Sequence, residues 1–157
     1  MSVGTLKNAP LAGNHIAVVS TLSGATQSAA ADFTSVDNNL GPRFGLVLRY
    51  EDPLNSYLIY RQVGGSSRLL ISRFVNGVET ILASSSIANP TRGVSFRLTG
   101  RVSGTGTATT LTLELNGVVR ATATDPTFAT GQVGILIGSG TSRTAQQQAD
   151  NFTASAQ

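Results

Sequence analysis

Short runs in which apolar and polar residues alternate recur along the chain. The clearest occupies residues 43–63 and predicts two strands, 43–51 and 56–63, joined by a turn at Pro53. Strand side chains point alternately to opposite faces of a sheet. The pattern therefore places one set on one face (Phe44, Leu46, Leu48 and Tyr50) and another on the opposite face (Gly45, Val47 and Arg49).

The same pattern predicts ten or eleven short strands in all and no helix. Two Asn-Gly pairs, at residues 76–77 and 116–117, lie between apolar runs and predict tight hairpins, because a type I′ turn needs positive φ at both central residues. Many short strands separated by turn residues favour an antiparallel β-sandwich or barrel. The remaining predicted strands cover 15–21, 28–36, 67–75, 78–83, 94–102, 109–115, 118–124, 132–137 and 147–156.

Length and composition narrow the picture. A chain of 157 residues is expected to form one domain, which we place at 14–157, with residues 1–13 as an N-terminal arm or irregular edge segment. There is no cysteine, and only 12% of residues are charged. The net charge of +3 is dispersed along the sequence rather than clustered, which argues against nucleic-acid binding. No run of about 20 apolar residues is present to span a membrane.

The order of segments from residue 41 to 157 resembles the concanavalin A-like lectin/glucanase superfamily, in its laminin G-like bacterial form. The resemblance rests on FGLVLRYEDPLNSYLIY, RLLISRFVNGVETILA, VSFRLTGRV, TLTLELNGVVRATATD, GQVGILIGSG and DNFTASA, taken in that order. It implies an antiparallel jelly-roll β-sandwich. Members of this superfamily often bind glycans on one sheet and its rim loops, sometimes with Ca2+, but the fold alone does not decide the function.

Catalysis finds little support in the sequence. Glycoside hydrolysis uses two carboxylates across a cleft, and the Glu-x-Asp-x-x-Glu pattern of the superfamily's glucanases is absent. His15 is the single histidine, and no Gly-x-Ser-x-Gly elbow accompanies it. The sequence therefore predicts a protein that is not an enzyme.

Calcium is the one metal that the sequence suggests. Ca2+ takes six to eight oxygen ligands, and Asp37 and Asn39, with Asp150 if it lies nearby, offer suitable oxygens. The alternative interpretation of residues 37–39 is a plain turn, and both remain open.

Glycan binding usually stacks a sugar on an exposed aromatic ring and adds hydrogen bonds from polar side chains. The chain has no tryptophan, so the candidates are its tyrosines. Tyr60 and Gln62 share one face of their predicted strand, Arg49 comes from the paired strand, and Arg97 joins them if its strand is a neighbour. We predict these four as ligand-binding residues, with ordinary structural positions in a sandwich as the alternative.

Two functions follow from the sequence as hypotheses. The first is a non-catalytic module for carbohydrate or surface recognition and adhesion, located outside the cell or at its surface. The second is a structural assembly protein of a virion, such as a phage capsid decoration or fibre subunit, because no secretory signal is recognisable at the N-terminus. In the second case residues 1–13 would clasp a neighbouring copy or a capsid partner in a homo-oligomer.

Overall fold

The described residues form two antiparallel sheets of six strands each. The structure, a computed structural model, describes residues 6–7, 14–36, 41–138 and 147–157. One short 3₁₀ helix, Gly106–Ala108, interrupts the strands, and no helix of the described residues is long and apolar enough to cross a membrane. The strands are β1 (Leu6–Lys7), β2 (Asn14–Ser23), β3 (Gln27–Thr34), β4 (Arg43–Asp52), β5 (Asn55–Gln62), β6 (Arg68–Val75), β7 (Val78–Ser86), β8 (Ser95–Ser103), β9 (Thr110–Leu115), β10 (Val118–Thr124), β11 (Gln132–Gly138) and β12 (Gln148–Ala156).

The strand order confirms the predicted antiparallel sandwich. The first sheet has the order β1-β12-β3-β8-β9-β10, and the second has the order β2-β11-β4-β5-β6-β7. Both Asn-Gly hairpins form as predicted, with φ of 51° and 78° at Asn76 and Gly77 and of 50° and 78° at Asn116 and Gly117. These positive angles are the ones that a type I′ turn demands, and Asn and Gly adopt them most readily.

Alternating apolar residues from both sheets meet in a shared core. Three phenylalanines join the layers: Phe33 and Phe96 from the first sheet contact Phe44 from the second, with ring centroids 5.8 and 5.4 Å apart. Full burial of one such side chain contributes about 1.5–3 kcal/mol. Other buried members of this core include Leu46, Leu48, Tyr57, Ile59, Leu69, Ile71, Leu98, Val102, Leu111, Leu113, Val133 and Ile135.

The predicted alternation fails at one point of β4. The pairing of β4 with β5 shifts between Leu48 and Asp52, and Arg49 has a φ of 45°, so the strand contains a bulge there. The bulge turns Arg49 into the interior, where it is 0% exposed, and turns Tyr50 to the opposite face. The prediction that Tyr50 shares a face with Phe44 was therefore wrong.

The described part of the N-terminal segment is one short strand. Leu6 and Lys7 pair with Ala149 and Gln148 of the last strand and lie at the edge of the first sheet. The rest of residues 1–13 falls outside the described residues. The division into an arm (1–13) and a sandwich domain (14–157) stays a prediction.

Candidate functional site

Arg49 is a buried structural residue and is not available to a ligand. Its Nη2 donates hydrogen bonds to the carbonyl oxygens of Ala25 and Gly104, at 2.6 and 2.7 Å, and its Nη1 donates to the carbonyl of Phe128. Burial lowers the pKa of the guanidinium from its ordinary value. The prediction that Arg49 lies on a binding face was wrong, because the β4 bulge directs its side chain between the sheets.

Arg97 lies on a different surface from Tyr60 and Gln62. It belongs to β8 in the first sheet, where its Nη1 lies 2.9 Å from Asp32 Oδ1. The other oxygen of Asp32 accepts a hydrogen bond from Asn151 Nδ2 at 2.8 Å. The predicted set of four residues therefore does not form one patch, since alternation along a strand does not reveal which sheet the strand joins.

Tyr60 and Gln62 lie on the face of the second sheet that points away from the core, which we call the outer face. Tyr60 packs there in a second apolar cluster and is only 1% exposed, whereas Gln62 is half-buried. The buried members of this cluster are Val47, Leu58, Tyr60, Leu70 and Leu136, with Tyr50 and Phe74 packed against them.

A polar cluster of Arg43, Tyr60 and Glu79 stands on the outer face. The Tyr60 hydroxyl donates to Glu79 Oε1 at 2.6 Å, and the Arg43 guanidinium lies over the Tyr60 ring, 5.2 Å from its centroid. Arg43 Nη1 is 3.7 Å from Glu79 Oε2. Burial, together with the hydrogen bond to Glu79, raises the pKa of Tyr60 to about 12. Tyr60 therefore stays a neutral donor that orients the Glu79 carboxylate.

A groove of about 370 Å3 opens on the outer face beside this polar cluster. Tyr50 and Phe74 line it as half-buried aromatic side chains, and Leu58 is buried beneath them. Phe74 is the direct cross-strand partner of Glu79, so the apolar groove and the charged cluster adjoin. The complete lining is Ile16, Tyr50, Pro53, Ser56, Leu58 and Phe74.

Two neighbouring hairpin turns hold each other at the end of the sheet nearest the groove. Asp52 accepts hydrogen bonds from Leu54 N at 2.7 Å and from Asn55 Nδ2 at 2.8 Å, which fixes the turn between β4 and β5. Gly77 N then donates to Leu54 O at 2.9 Å, and Asn76 N donates to Asn55 Oδ1 at 3.0 Å. The turns are thereby locked together, and the aromatic walls of the groove are held on fixed strands.

Sequence reasoning missed Phe74 and Glu79 as site residues. The signal was present in the Asn76-Gly77 pair, because a two-residue turn fixes the register of the strands on either side. With Val75 opposite Val78, Phe74 must lie opposite Glu79, as it does in the structure.

The side chains present decide whether this site can bind a metal ion or supply the pair of carboxylates that hydrolysis uses. Among residues 6–7, 14–36, 41–138 and 147–157, no group of three or more His, Asp or Glu is arranged to hold a metal ion. Asp37 and Asn39, the predicted calcium ligands, lie outside the described residues, so that site stays a prediction. Within the groove lining and the polar cluster, Glu79 supplies the single carboxylate, whereas glycoside hydrolysis uses a pair.

Neither a family model nor a curated protein matches this sequence. Solved structures do match its fold. The carbohydrate binding module CBM66 from Bacillus subtilis has a TM-score of 0.75 at 19% identity, covering 99% of this chain and 94% of that one. The Emp47p carbohydrate recognition domain has a TM-score of 0.61 at 13% identity, covering 84% and 72% of the two chains.

A third match concerns a larger protein. The GH43 protein BlXynB from Bacillus licheniformis has a TM-score of 0.62 at 15% identity, and the match covers 85% of this chain but 28% of that one. At these identities the comparisons establish the fold. The fold is an antiparallel jelly-roll β-sandwich, as the sequence predicted, and these solved structures share it; the narrower laminin G-like form stays a prediction.

Proposed function

We propose that this protein is a non-catalytic carbohydrate-recognition module that binds a glycan on the outer face of its second sheet. Tyr50 and Phe74 stack against a sugar ring in the groove, while Glu79 and Arg43 bind polar groups of the same glycan. The observation that carries the proposal is the position of Glu79 directly opposite Phe74, which joins an aromatic groove to an oriented carboxylate.

This arrangement suits the chemistry of a sugar. A sugar ring has an apolar face of C–H groups and an edge of hydroxyls, so it needs a flat apolar surface and a few well-placed donors and acceptors. Tyr50 and Phe74 offer the surface. Glu79 accepts hydrogen bonds from hydroxyls and Arg43 donates to them, and hydrogen bonds to charged groups are stronger than those between neutral ones.

Two further observations support a binding role rather than catalysis. The fold is the same as that of CBM66 and of the Emp47p recognition domain, which bind or recognise carbohydrate by their names. The site also offers one carboxylate, Glu79, and its Oε1 already accepts a hydrogen bond from the Tyr60 hydroxyl. A binding module of this kind would meet its glycan outside the cell or at the cell surface.

Adhesion and virion assembly remain predictions from the sequence. No observation on the described residues favours a capsid or fibre subunit. The oligomer built by residues 1–13 is likewise unsupported, since the described part of that segment is limited to the two residues of β1.

The proposal is tested by measuring binding of the purified protein to a panel of soluble polysaccharides by isothermal titration calorimetry. Tyr50→Ala and Phe74→Ala are each expected to weaken binding about tenfold, the effect of losing about 1.4 kcal/mol of stacking. Val119→Ala, which truncates an exposed apolar side chain on the first sheet, is the matched control and should bind normally.

Thermal melts of the same variants separate folding from binding. Tyr50→Phe should keep the stacking surface and bind within about threefold of the wild type, an energy difference below about 0.7 kcal/mol. The proposal fails if no polysaccharide binds, or if folded Tyr50→Ala and Phe74→Ala proteins bind as tightly as Val119→Ala.

A further inference from the structure

A second group of polar side chains lies on the outer face, at the end of β5 remote from the groove. Arg43, Gln62 and Arg68 are consecutive cross-strand partners on β4, β5 and β6. Residues directly opposite one another in adjacent strands have Cβ atoms about 5 Å apart. The three side chains therefore form a row across the sheet, which we call the arginine row.

The arginine row faces outward. The neighbours Phe44 and Leu69 belong to the core between the sheets, and Arg61 lies over the Phe96 ring on that same inner side. Because side chains alternate along a strand, Arg43, Gln62 and Arg68 point to the outer face. Arg68 is exposed and Gln62 is half-buried, so a ligand on this face can reach both.

Among the residues that the structure describes, carboxylates compensate the positive charge of this row only weakly. Arg73, Arg97 and Arg101 each have a carboxylate oxygen within 2.8–3.0 Å, whereas the carboxylate of Glu79 is 3.7 Å from Arg43. Within the described part of the chain, the side chains of Arg68 and Gln62 form no hydrogen bond or ion pair. The N–H groups of these side chains can therefore donate hydrogen bonds to an anionic group of a ligand.

We infer that the glycan bound on the outer face is anionic and that its carboxylate or sulfate groups bind Arg43 and Arg68. This inference rests on the proposed function and names the chemical class of the ligand. The Gln62 amide lies between the two arginines and bonds a hydroxyl or ring oxygen of the same ligand. Arginine suits this task because its planar fork binds carboxylate and sulfate oxygens in pairs.

The distance between the two parts of the site sets the length of the ligand. Leu58 lines the groove and Gln62 lies four residues further along β5, which corresponds to about 13 Å at 3.3 Å per residue. Tyr60 and its partner Glu79 lie between them. A short oligosaccharide therefore spans the whole strip, with a sugar ring in the groove and an acidic group at the arginine row.

The test compares acidic and neutral polysaccharides by calorimetry at low and moderate salt. Polygalacturonate and alginate supply carboxylates, dextran sulfate supplies sulfates, chondroitin sulfate supplies both, and unmodified dextran is neutral. We expect at least one acidic polymer to bind at least tenfold more tightly than dextran, with an advantage that shrinks as salt rises. The carboxylated and sulfated polymers then identify which anionic group the row prefers.

Two matched variants distinguish specific binding at the arginine row from a general effect of the protein's net charge. Arg68→Ala and Arg120→Ala remove the same charge, but Arg120 is exposed on β10 of the first sheet. Arg68→Ala should weaken binding of the acidic polymer at least fivefold and leave any binding of dextran unchanged, while Arg120→Ala should have little effect on either. Gln62→Ala should weaken acidic binding without changing the salt dependence.

Three results would overturn the inference. If neutral and acidic polymers bind equally and Tyr50 is still required, the anionic ligand is wrong and the proposed function stands. If Arg120→Ala weakens binding as much as Arg68→Ala, the attraction reflects net charge and the row has no specific role. If no polymer binds at all, the proposed function fails together with the inference.

Discussion

Gln27 accepts a hydrogen bond from the main-chain N–H of Arg49 at 2.7 Å, although the two residues belong to different sheets. The bulge at Arg49 removes this N–H from the regular ladder, and Gln27 replaces the missing partner. The amide nitrogen of Gln27 donates in turn to the carbonyls of Gly24 and Gly131, at 3.0 and 2.5 Å. Gln27 thus stabilises the bulge that turns Tyr50 toward the groove.

Replacing Gln27 with leucine should destabilise the fold and weaken glycan binding together. The buried N–H of Arg49 would lose its acceptor, which costs about 1–3 kcal/mol, and the bulge would no longer hold Tyr50 in place. Urea unfolding measures the first effect and calorimetry the second. Gln132→Leu removes a longer, exposed hydrogen bond of 3.3 Å to Ser20 O and should change stability by less than about 0.5 kcal/mol. Equal losses in the two variants would contradict this role of Gln27.

Arg49→Lys should be strongly destabilising although it preserves the charge. The guanidinium reaches three carbonyls, those of Ala25, Gly104 and Phe128, from one position. A lysine ammonium cannot reach all three. The Phe128 carbonyl is buried, and a buried carbonyl left unpaired costs about 1–3 kcal/mol. Urea unfolding should show a loss of at least about 2 kcal/mol, against almost none for Arg120→Lys on the surface. A stability of Arg49→Lys within about 0.5 kcal/mol of the wild type would be inconsistent with this network.

The stabilising effect of Asp125 should depend on pH. Burial alone would raise the pKa of its carboxyl, but hydrogen bonds from Thr127 and Tyr57 and the charge of Arg73 outweigh burial and hold the pKa below 3.8. A carboxyl with a lowered folded-state pKa stabilises the protein above its unfolded pKa of about 3.9, and this stability is lost as the pH falls further.

Wild-type protein should therefore exceed Asp125→Asn in stability at neutral pH, and the gap should narrow below about pH 4. Thermal melts of the two proteins between neutral and strongly acidic pH measure this difference directly. A gap that stayed constant across the range would show that the Asp125 charge contributes nothing.

Gly45→Ala should displace Tyr60 and thereby disturb the polar cluster. A Cβ at this position would lie 2.5 Å from Tyr60 Cβ and 2.8 Å from the carbonyl oxygen of Ile59, so Tyr60 must shift. We expect a loss of about 1–3 kcal/mol in stability and weaker glycan binding. Gly100→Ala meets mobile ends of Ile59 and Leu46 in the core and should leave binding unchanged. Normal binding by folded Gly45→Ala would separate Tyr60 from the site.

Local features of the chain were predictable from its sequence. The β4–β5 hairpin and both Asn-Gly turns form where alternation and turn residues place them, because these signals act over a few neighbouring residues. The positions of Tyr50 and Arg49 were not predictable, since the bulge depends on Gln27, a residue of the other sheet.

At the candidate site too, local features were predictable from the sequence and long-range ones were not. Tyr60 and Gln62 do share the outer face, as alternation along one strand indicates. Arg97 was expected beside them but lies on the first sheet, because strand order within each sheet is set by long-range packing. Phe74 and Glu79 were overlooked even though their pairing follows from a hairpin turn.

The Arg49 contacts also constrain the order in which the chain folds. Its three carbonyl acceptors, in residues 25, 104 and 128, are far apart in the sequence, so this network completes only after both sheets have met. Loop closure over such separations is costly early in folding. We therefore expect Arg49→Lys to accelerate unfolding while leaving the refolding rate nearly unchanged, as the two arms of a chevron plot would show. Closing this end of the sandwich would then be the last step of folding. The lifetime of the native state would depend strongly on the contacts of one arginine.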